Sequence, residues 1–257
     1  MKKITIQDIQ NLKNQGTPFA TITAYDYLSA QIVDEAKIPL ILVGDSASMT
    51  VYGYSTTVPV SMSEMLLVTK AVMRGVRSSL VVADMPFLSY QPSTEETIKN
   101  AGILIKNGGA HAVKLEGGKN MSSRIKALVD VGIPVLGHIG LMPQSVNQTS
   151  GYSIQGKTNK AASQIIKDAF AVQEAGAFGV VLECIPESLA TDITNKIKIP
   201  TIGIGSGNTC DGQIQVFHDI MGLSKNKAPK HAKQQLNLYE EILNAVKKYK
   251  ETVKKFK

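Results

Sequence analysis

No apolar run in this sequence reaches the roughly 18 residues that mark a bilayer-spanning helix, and its 257 residues include only two cysteines and four histidines. The first lack argues against a membrane span. The opening MKKITIQDIQ turns polar before the apolar region of a secretory signal could form, so a soluble, cytoplasmic protein is expected. Cys184 and Cys210 stand in strand-like and loop-like settings without metal-ligand spacing, which favours reduced thiols over a disulfide. With no His or Cys cluster, zinc is a poor fit. Acid is scarce at one end only. Of the net charge of +7, residues 245–257 (AVKKYKETVKKFK) carry +5, six lysines against one glutamate. The remainder is nearly neutral and no nucleic-acid motif accompanies the basic tail.

What is present is ordinary globular material, 43% hydrophobic and 19% charged, enough for a sizeable core. The length suits a single catalytic domain over residues 1–257, since α/β barrels commonly run to roughly 250 residues. Thr5 with Asp8, and Ser93 with Glu96, have capping-box spacing. Short apolar runs alternate with helical patterns: PFATITAYD, IPLILVGD, the run ending at Asp84, HAVKLE, IPVLGHIG, FGVVLE and IPTIGIGSG read as strands. GQIQVFHDIMGL reads as an eighth, less regular strand, because the interval before it is too short for a crossover helix. Such alternation means a parallel sheet, and a count of eight favours closure into a (β/α)8 TIM barrel. An N-terminal helix precedes it. A C-terminal amphipathic helix follows, with Leu238, Ile242, Val246, Tyr249, Val253 and Phe256 on one face and lysines on the other. That helix packs on the body or a neighbouring subunit, or else meets an anionic surface.

Three strand ends finish in acids: Asp45 after LILVG, Asp84 after VVA, and Glu116 after VKL. In barrels the chemistry gathers at the carboxyl ends of the strands. Acids there can also be helix N-caps or surface pairs, but three at equivalent ends suggest hard oxygen ligands for Mg²⁺, one of them acting through water. Lys114 lies two residues before Glu116, so both project from the same face of the strand. Glu183 follows four apolar residues, a setting that should raise its carboxyl toward the range of a general base. A carboxylate paired with a lysine is the alternative. His138 could reach the same rim or simply pack there, and His111 and His218 receive no role. Gly203, Gly205 and Gly207 fit tight turns as well as they fit an incomplete phosphate loop. The long polar segments SASMTVYGYSTTVPV and MPQSVNQTSGYSIQGKT follow two of the strands and read as functional loops.

At these residues the chain resembles the ketopantoate hydroxymethyltransferase family. VGDSASM with GYSTT, ADMPFLSY, GGAHAVKLEGG, IPVLGHIGLMPQSVNQTSGYSIQGKT, VLECIPESLA and IPTIGIGSGNTCDGQIQVFHDIMGL carry the likeness, in order and over nearly the whole length. The resemblance implies a barrel of the phosphoenolpyruvate/pyruvate superfamily, a Mg²⁺ ion, 5,10-methylenetetrahydrofolate as one-carbon donor, 3-methyl-2-oxobutanoate as substrate and a homodecamer. It implies further that Asp45 and Asp84 contact metal and substrate, that Glu116 is metal-linked, that Ser46 and Lys114 hold the keto acid, and that Glu183 is the proton acceptor. Ala47 and Ser48 depart from the Leu-Gly usual after the GDS, Val68 stands near a position that is commonly histidine, and Asn147 and Thr149 also differ. A Mg²⁺-dependent 2-oxo acid lyase of the same superfamily would use the same acids, and a folate requirement separates the two. A non-catalytic barrel recruited through its basic tail is the reading from another class.

Overall fold

Strands covered on both faces have no solvent side to keep polar, so their sequences are continuously apolar. In the computed structural model, which describes residues 2–149, 151, 153–225 and 228–256, eight segments form strands, most of them of this kind, with FATIT and GQIQ alternating in burial instead. They are β1 (Phe19–Thr23), β2 (Leu40–Val43), β3 (Leu80–Asp84), β4 (Ala112–Glu116), β5 (Val135–Gly140), β6 (Gly179–Glu183), β7 (Thr201–Ile204) and β8 (Gly212–Gln215). They close into a barrel in sequence order, with parallel registers that include Val43 with Ala83, Asp84 with Lys114, Glu116 with His138 and Gly140 with Glu183. The helices are α1 (Ile6–Asn14), α2 (Tyr27–Glu35), α3 (Ala47–Thr50), α4 (Met62–Gly75), α5 (Thr94–Gly102), α6 (Ser122–Asp130), α7 (Val146–Thr149), α8 (Asn159–Glu174), α9 (Glu187–Lys196), α10 (Phe217–Met221) and α11 (Leu238–Val253). Among the described residues no helix is long and apolar enough to cross a membrane.

Alternate residues of the strands fill the barrel: Leu40 and Leu42, Leu80 and Val82, with Ala112, Leu136, Val181, Ile202, Ile204 and Ile214. Ile9 of α1 joins this cluster fully buried, with Ile4, Ile6 and Leu12 packed against it. The Ile4 N–H donates to Ser78 O (2.7 Å), just before β3. The opening helix therefore plugs the end where the strands begin, and the end where they finish is left for chemistry.

Capping follows the sequence closely in one place and only half in another. Thr5 and Asp8 form the full reciprocal box, as do Ser61 and Glu64 at the start of α4. Ser93 accepts from the Glu96 N–H (3.1 Å), but Glu96 does not reach back. The helix that Ser93 starts leaves the α form at Gly102 and finishes as a π-helical turn over Ile103–Asn107. The eighth strand is shorter than its sequence pattern suggests. Only Gly212–Gln215 is extended, and FHDIM coils into α10. The interval 205–211 holds no helix, which is why the alternation looked incomplete there.

The chain divides into two compact units, Met1–Ile214 and Gln215–Lys257. In the second, α10 ends at Gly222 in the left-handed conformation (φ 62°), Gln235 N–H donates to Ile220 O (2.7 Å), and Tyr239 N–H to Gly222 O (2.8 Å). No residue of α11 is buried. Every candidate site residue lies in the first unit.

Candidate active site

Five neighbouring strands deliver polar side chains to one rim. The Gly44–Asp45–Ser46 turn ends β2 and leads into α3, whose first bonds run from Ala47 N–H to Gly44 O (3.0 Å) and Ser48 N–H to Asp45 O (2.9 Å). That turn aims the Asp45 N–H at Asp84 Oδ2 on the next strand (2.9 Å). Across β3 and β4, Lys114 Nζ meets Asp84 Oδ1 at 2.9 Å, both side chains almost wholly buried. On β5, His138 Nδ1 faces Lys114 Nζ at 3.1 Å and Glu116 Oε1 at 3.5 Å. Its Nε2 stands 3.1 Å from Glu183 Oε2 at the end of β6, close but off the line of a good hydrogen bond. Asp45, Asp84, Lys114, Glu116, His138 and Glu183 are thus brought together, and Ser46 sits beside them with its Oγ 2.7 Å from the Tyr25 hydroxyl.

The backbone behind Glu183 is shaped for this. Gly140 (φ 96°) crosses so close to β6 that any side chain there would collide with the Glu183 carbonyl. Cys184 takes a left-handed conformation (φ 48°) that costs about 1–2 kcal/mol for a residue with a Cβ. The turn is held from both sides, with Cys184 N–H donating to Ile204 O and Gln155 N–H to Cys184 O, each 2.8 Å. Cys184 and Cys210 are both free thiols, Cys184 raised to about 11 by burial and the Glu183 charge.

Charge is crowded here. Burial, and then the Asp84 charge, lift Asp45 to about 8. Asp84 is raised chiefly by burial, against the pull of Lys114 and the Asp45 N–H. Burial works to lower Lys114, but Asp84, Glu116 and Asp45 outweigh it and hold the ammonium well above its ordinary value. For His138, burial and the Lys114 charge pull downward, while Glu116 and Glu183 prevail and lift the ring to about 9. At that value the ring carries a proton on both nitrogens at neutral pH, Nδ1 on the Glu116 side and Nε2 on the Glu183 side; once it loses one, Nδ1 can accept from the Lys114 ammonium and the remaining proton sits on Nε2. Four carboxylates, Asp45, Asp84, Glu116 and Glu183, therefore share one lysine and one histidine.

Whether these residues suit a metal can be judged from their oxygens. Among the described residues, no group of three or more His, Cys, Asp or Glu is already drawn together as a ligand cluster. Three of the acids have turned an oxygen to a donor: Asp84 to Lys114 and the Asp45 N–H, Asp45 to the Gln144 amide, Glu116 to the Gln144 N–H. Yet Glu116 Oε1 is buried without a hydrogen-bond donor, and Asp84 Oδ1 has only the charge of Lys114 beside it. Under-satisfied carboxylate oxygens with a surplus of negative charge are what a hard divalent cation binds, so the donor set fits one.

Comparison with known proteins gives the chain a family. The sequence model of ketopantoate hydroxymethyltransferase matches residues 3–257. The chain is 51% identical to the 3-methyl-2-oxobutanoate hydroxymethyltransferase of Carboxydothermus hydrogenoformans over 254 residues, 99% of this chain and 92% of that one. It is 49% identical to the same-named protein of Syntrophus aciditrophicus over 253 residues, 98% and 93% of the two chains. The chain belongs to the ketopantoate hydroxymethyltransferase family. Among solved structures, the backbone resembles 2,3-dimethylmalate lyase, described as a PEP mutase/isocitrate lyase superfamily member, with a TM-score of 0.64, 16% identity and coverage of 100% and 89%. It also resembles phosphonopyruvate hydrolase in complex with oxalate and Mg²⁺ (TM-score 0.63, 15% identity, coverage 85% and 81%). At these identities the likeness speaks to the TIM-barrel fold alone.

Several residues of this rim escape a reading of the sequence. Tyr25, 2% exposed, follows β1 at the same rim and holds Ser46; its signal is an AYD directly after a strand. Tyr90 and Gln144 have none, since an uncharged side chain in a loop does not announce which strand ends it will join. His138, open between packing and function in the sequence, stands in the middle of the cluster. The companion of Glu183 is that imidazole and not a lysine. Ser150 and Tyr152, in the second polar loop, lie outside the described residues.

Proposed function

We propose that this chain transfers a hydroxymethyl group from 5,10-methylenetetrahydrofolate to 3-methyl-2-oxobutanoate, forming ketopantoate for pantothenate synthesis. The observation that carries the reading is the meeting of Lys114, His138 and Glu183 with three acids at one barrel rim, in a chain of this family. Lys114 and Ser46 receive the negative head group of the 2-oxo acid, offsetting its charge where water is scarce. Glu183, whose side chain stays 15% accessible, faces C3 of the substrate and removes its proton. His138 Nε2, 3.1 Å away, steadies the Glu183 carboxylate before that transfer. The electron pair left at C3 then forms the new carbon–carbon bond to the methylene carbon of the folate as one of that carbon's two C–N bonds breaks and its nitrogen takes up a proton; water replaces the second C–N bond with a hydroxyl, releasing tetrahydrofolate and the hydroxymethyl product. Asp45 and Asp84, with Glu116 behind them, would hold a Mg²⁺ ion. When bound, that ion supplies polarisation of the substrate oxygens, which makes the adjacent C–H acidic.

The test is proton exchange. In D2O, NMR should show Mg²⁺-dependent loss of the C3 proton signal of 3-methyl-2-oxobutanoate, and Glu183→Gln should slow it by about 10²–10⁴-fold. Undiminished exchange in that variant removes Glu183 as base. Product should appear only when methylenetetrahydrofolate is added; turnover without it would point to a lyase. We place the enzyme in the cytoplasm, supported by its two free thiols, and assign it a homo-oligomeric state, a decamer by family resemblance.

A further inference from the structure

We propose that Gln144 is the positioning residue that sets how tightly this site holds a divalent cation. The inference rests on the metal reading above and adds a residue from outside the acid cluster. Gln144 lies in the single turn Pro143–Ser145 after β5 and is 3% exposed. Its Nε2 donates to Asp45 Oδ2 and to Met85 O, each 2.9 Å. Its Oε1 accepts from the Tyr90 hydroxyl at 2.7 Å, and its backbone N–H donates to Glu116 Oε2 at 3.1 Å. Tyr90 in turn accepts the Glu116 N–H at 3.1 Å. One neutral residue thereby grips two acids, from the turn after β2 and the end of β4, and ties both to the loop after β3.

The chemistry of the partners leaves the amide no freedom. The Met85 carbonyl only accepts, so a flipped amide would set oxygen against oxygen there and leave Asp45 Oδ2 without its N–H donor. A lysine here would orient the acids equally well but cancel the charge a cation needs. Glutamine aims them and leaves their charge intact. Partners of this kind typically change metal affinity by about 10–100-fold.

The test uses the full chain, stripped of metal, with Mn²⁺ as probe by electron paramagnetic resonance and Mg²⁺ as competitor. Gln144→Met keeps the length and the backbone N–H but loses the amide. It should bind Mn²⁺ about 10–100-fold more weakly, with near-ultraviolet circular dichroism unchanged, and raised Mg²⁺ should restore proton exchange. Tyr90→Phe, a gentler change, should weaken binding less and in the same direction, and it decides the matter if the methionine variant does not fold. Wild-type Mn²⁺ affinity in a folded Gln144→Met, even with a lowered melting temperature, overturns the proposal and leaves the metal reading standing. No Mn²⁺ binding by the unsubstituted chain overturns both.

Discussion

Asp34 and Asp45 are the same residue at nearly the same depth, 4% and 6% exposed, and the protein drives them in opposite directions. Asp34, near the end of α2, accepts from the N–H groups of Arg77, Ser78 and Ser79 and from the hydroxyls of Ser78 and Ser79, at 2.7–3.1 Å. Burial pushes its carboxyl up, but those donors prevail and hold it at about 2. Asp45 receives the Gln144 amide and faces two further acids, and it rises to about 8. Burial alone therefore does not mark a functional acid. Saturation with donors marks the carboxylate that fastens the chain where it enters β3, and a shortage of donors marks the one proposed above to hold a ligand.

If that contrast is right, Asp34→Ala should cost more stability than any change at Asp45 or at a helix cap. It strips a charged acceptor from five donors, several of them buried, and a loss of about 3 kcal/mol in urea unfolding is expected. Proton exchange per folded molecule should be unaffected. A loss below about 1 kcal/mol would break the comparison. Acid should reveal the same group. Because its carboxyl lies below the unfolded value of about 3.9, its stabilisation is full above roughly pH 4 and fades as pH falls toward 2. In Asp34→Asn the slope of melting temperature against pH across that window should flatten.

Ser61→Ala offers a milder version of the same principle at the surface. Ser61 donates through its N–H and its hydroxyl to Glu64 (both 2.7 Å) and caps α4, and Glu64 is lowered chiefly by those bonds. Thermal or urea unfolding should report a cost of about 1 kcal/mol. Ser93→Ala, at the half-formed box, should cost less. Asp45→Asn should move stability least, by less than about 1 kcal/mol and in either direction, because it removes a crowded charge while keeping the shape. Mn²⁺ binding and exchange should nevertheless be lost. A destabilisation as large as that of Asp34→Ala would show Asp45 to be structural after all.

Much of this was legible in the chain. LILV, LVVAD, AVKLE and GVVLE read as buried parallel strands, and the acids at or just beyond their ends, Asp45, Asp84, Glu116 and Glu183, lie on the rim. The short β8 was harder to read because no helix precedes it and only four residues pair. Asp34 sat inside an amphipathic pattern, DYLSAQIVDEAK, and looked like any helix-surface acid. Its donors come from residues more than forty positions later, and nothing local points to them.

Periodicity, capping residues and the spacing of acids after apolar runs depend on neighbours in the chain, so the order of amino acids alone determined the barrel, the helix starts at Thr5 and Ser93, the family, and the acids and lysine at the rim. Which acid is satisfied and which is left wanting was decided only by tertiary structure. A hydrogen bond or a charge pair acts over a few ångströms, and the partners of Asp45 lie 39 and 99 residues away, brought to it by closure of the barrel.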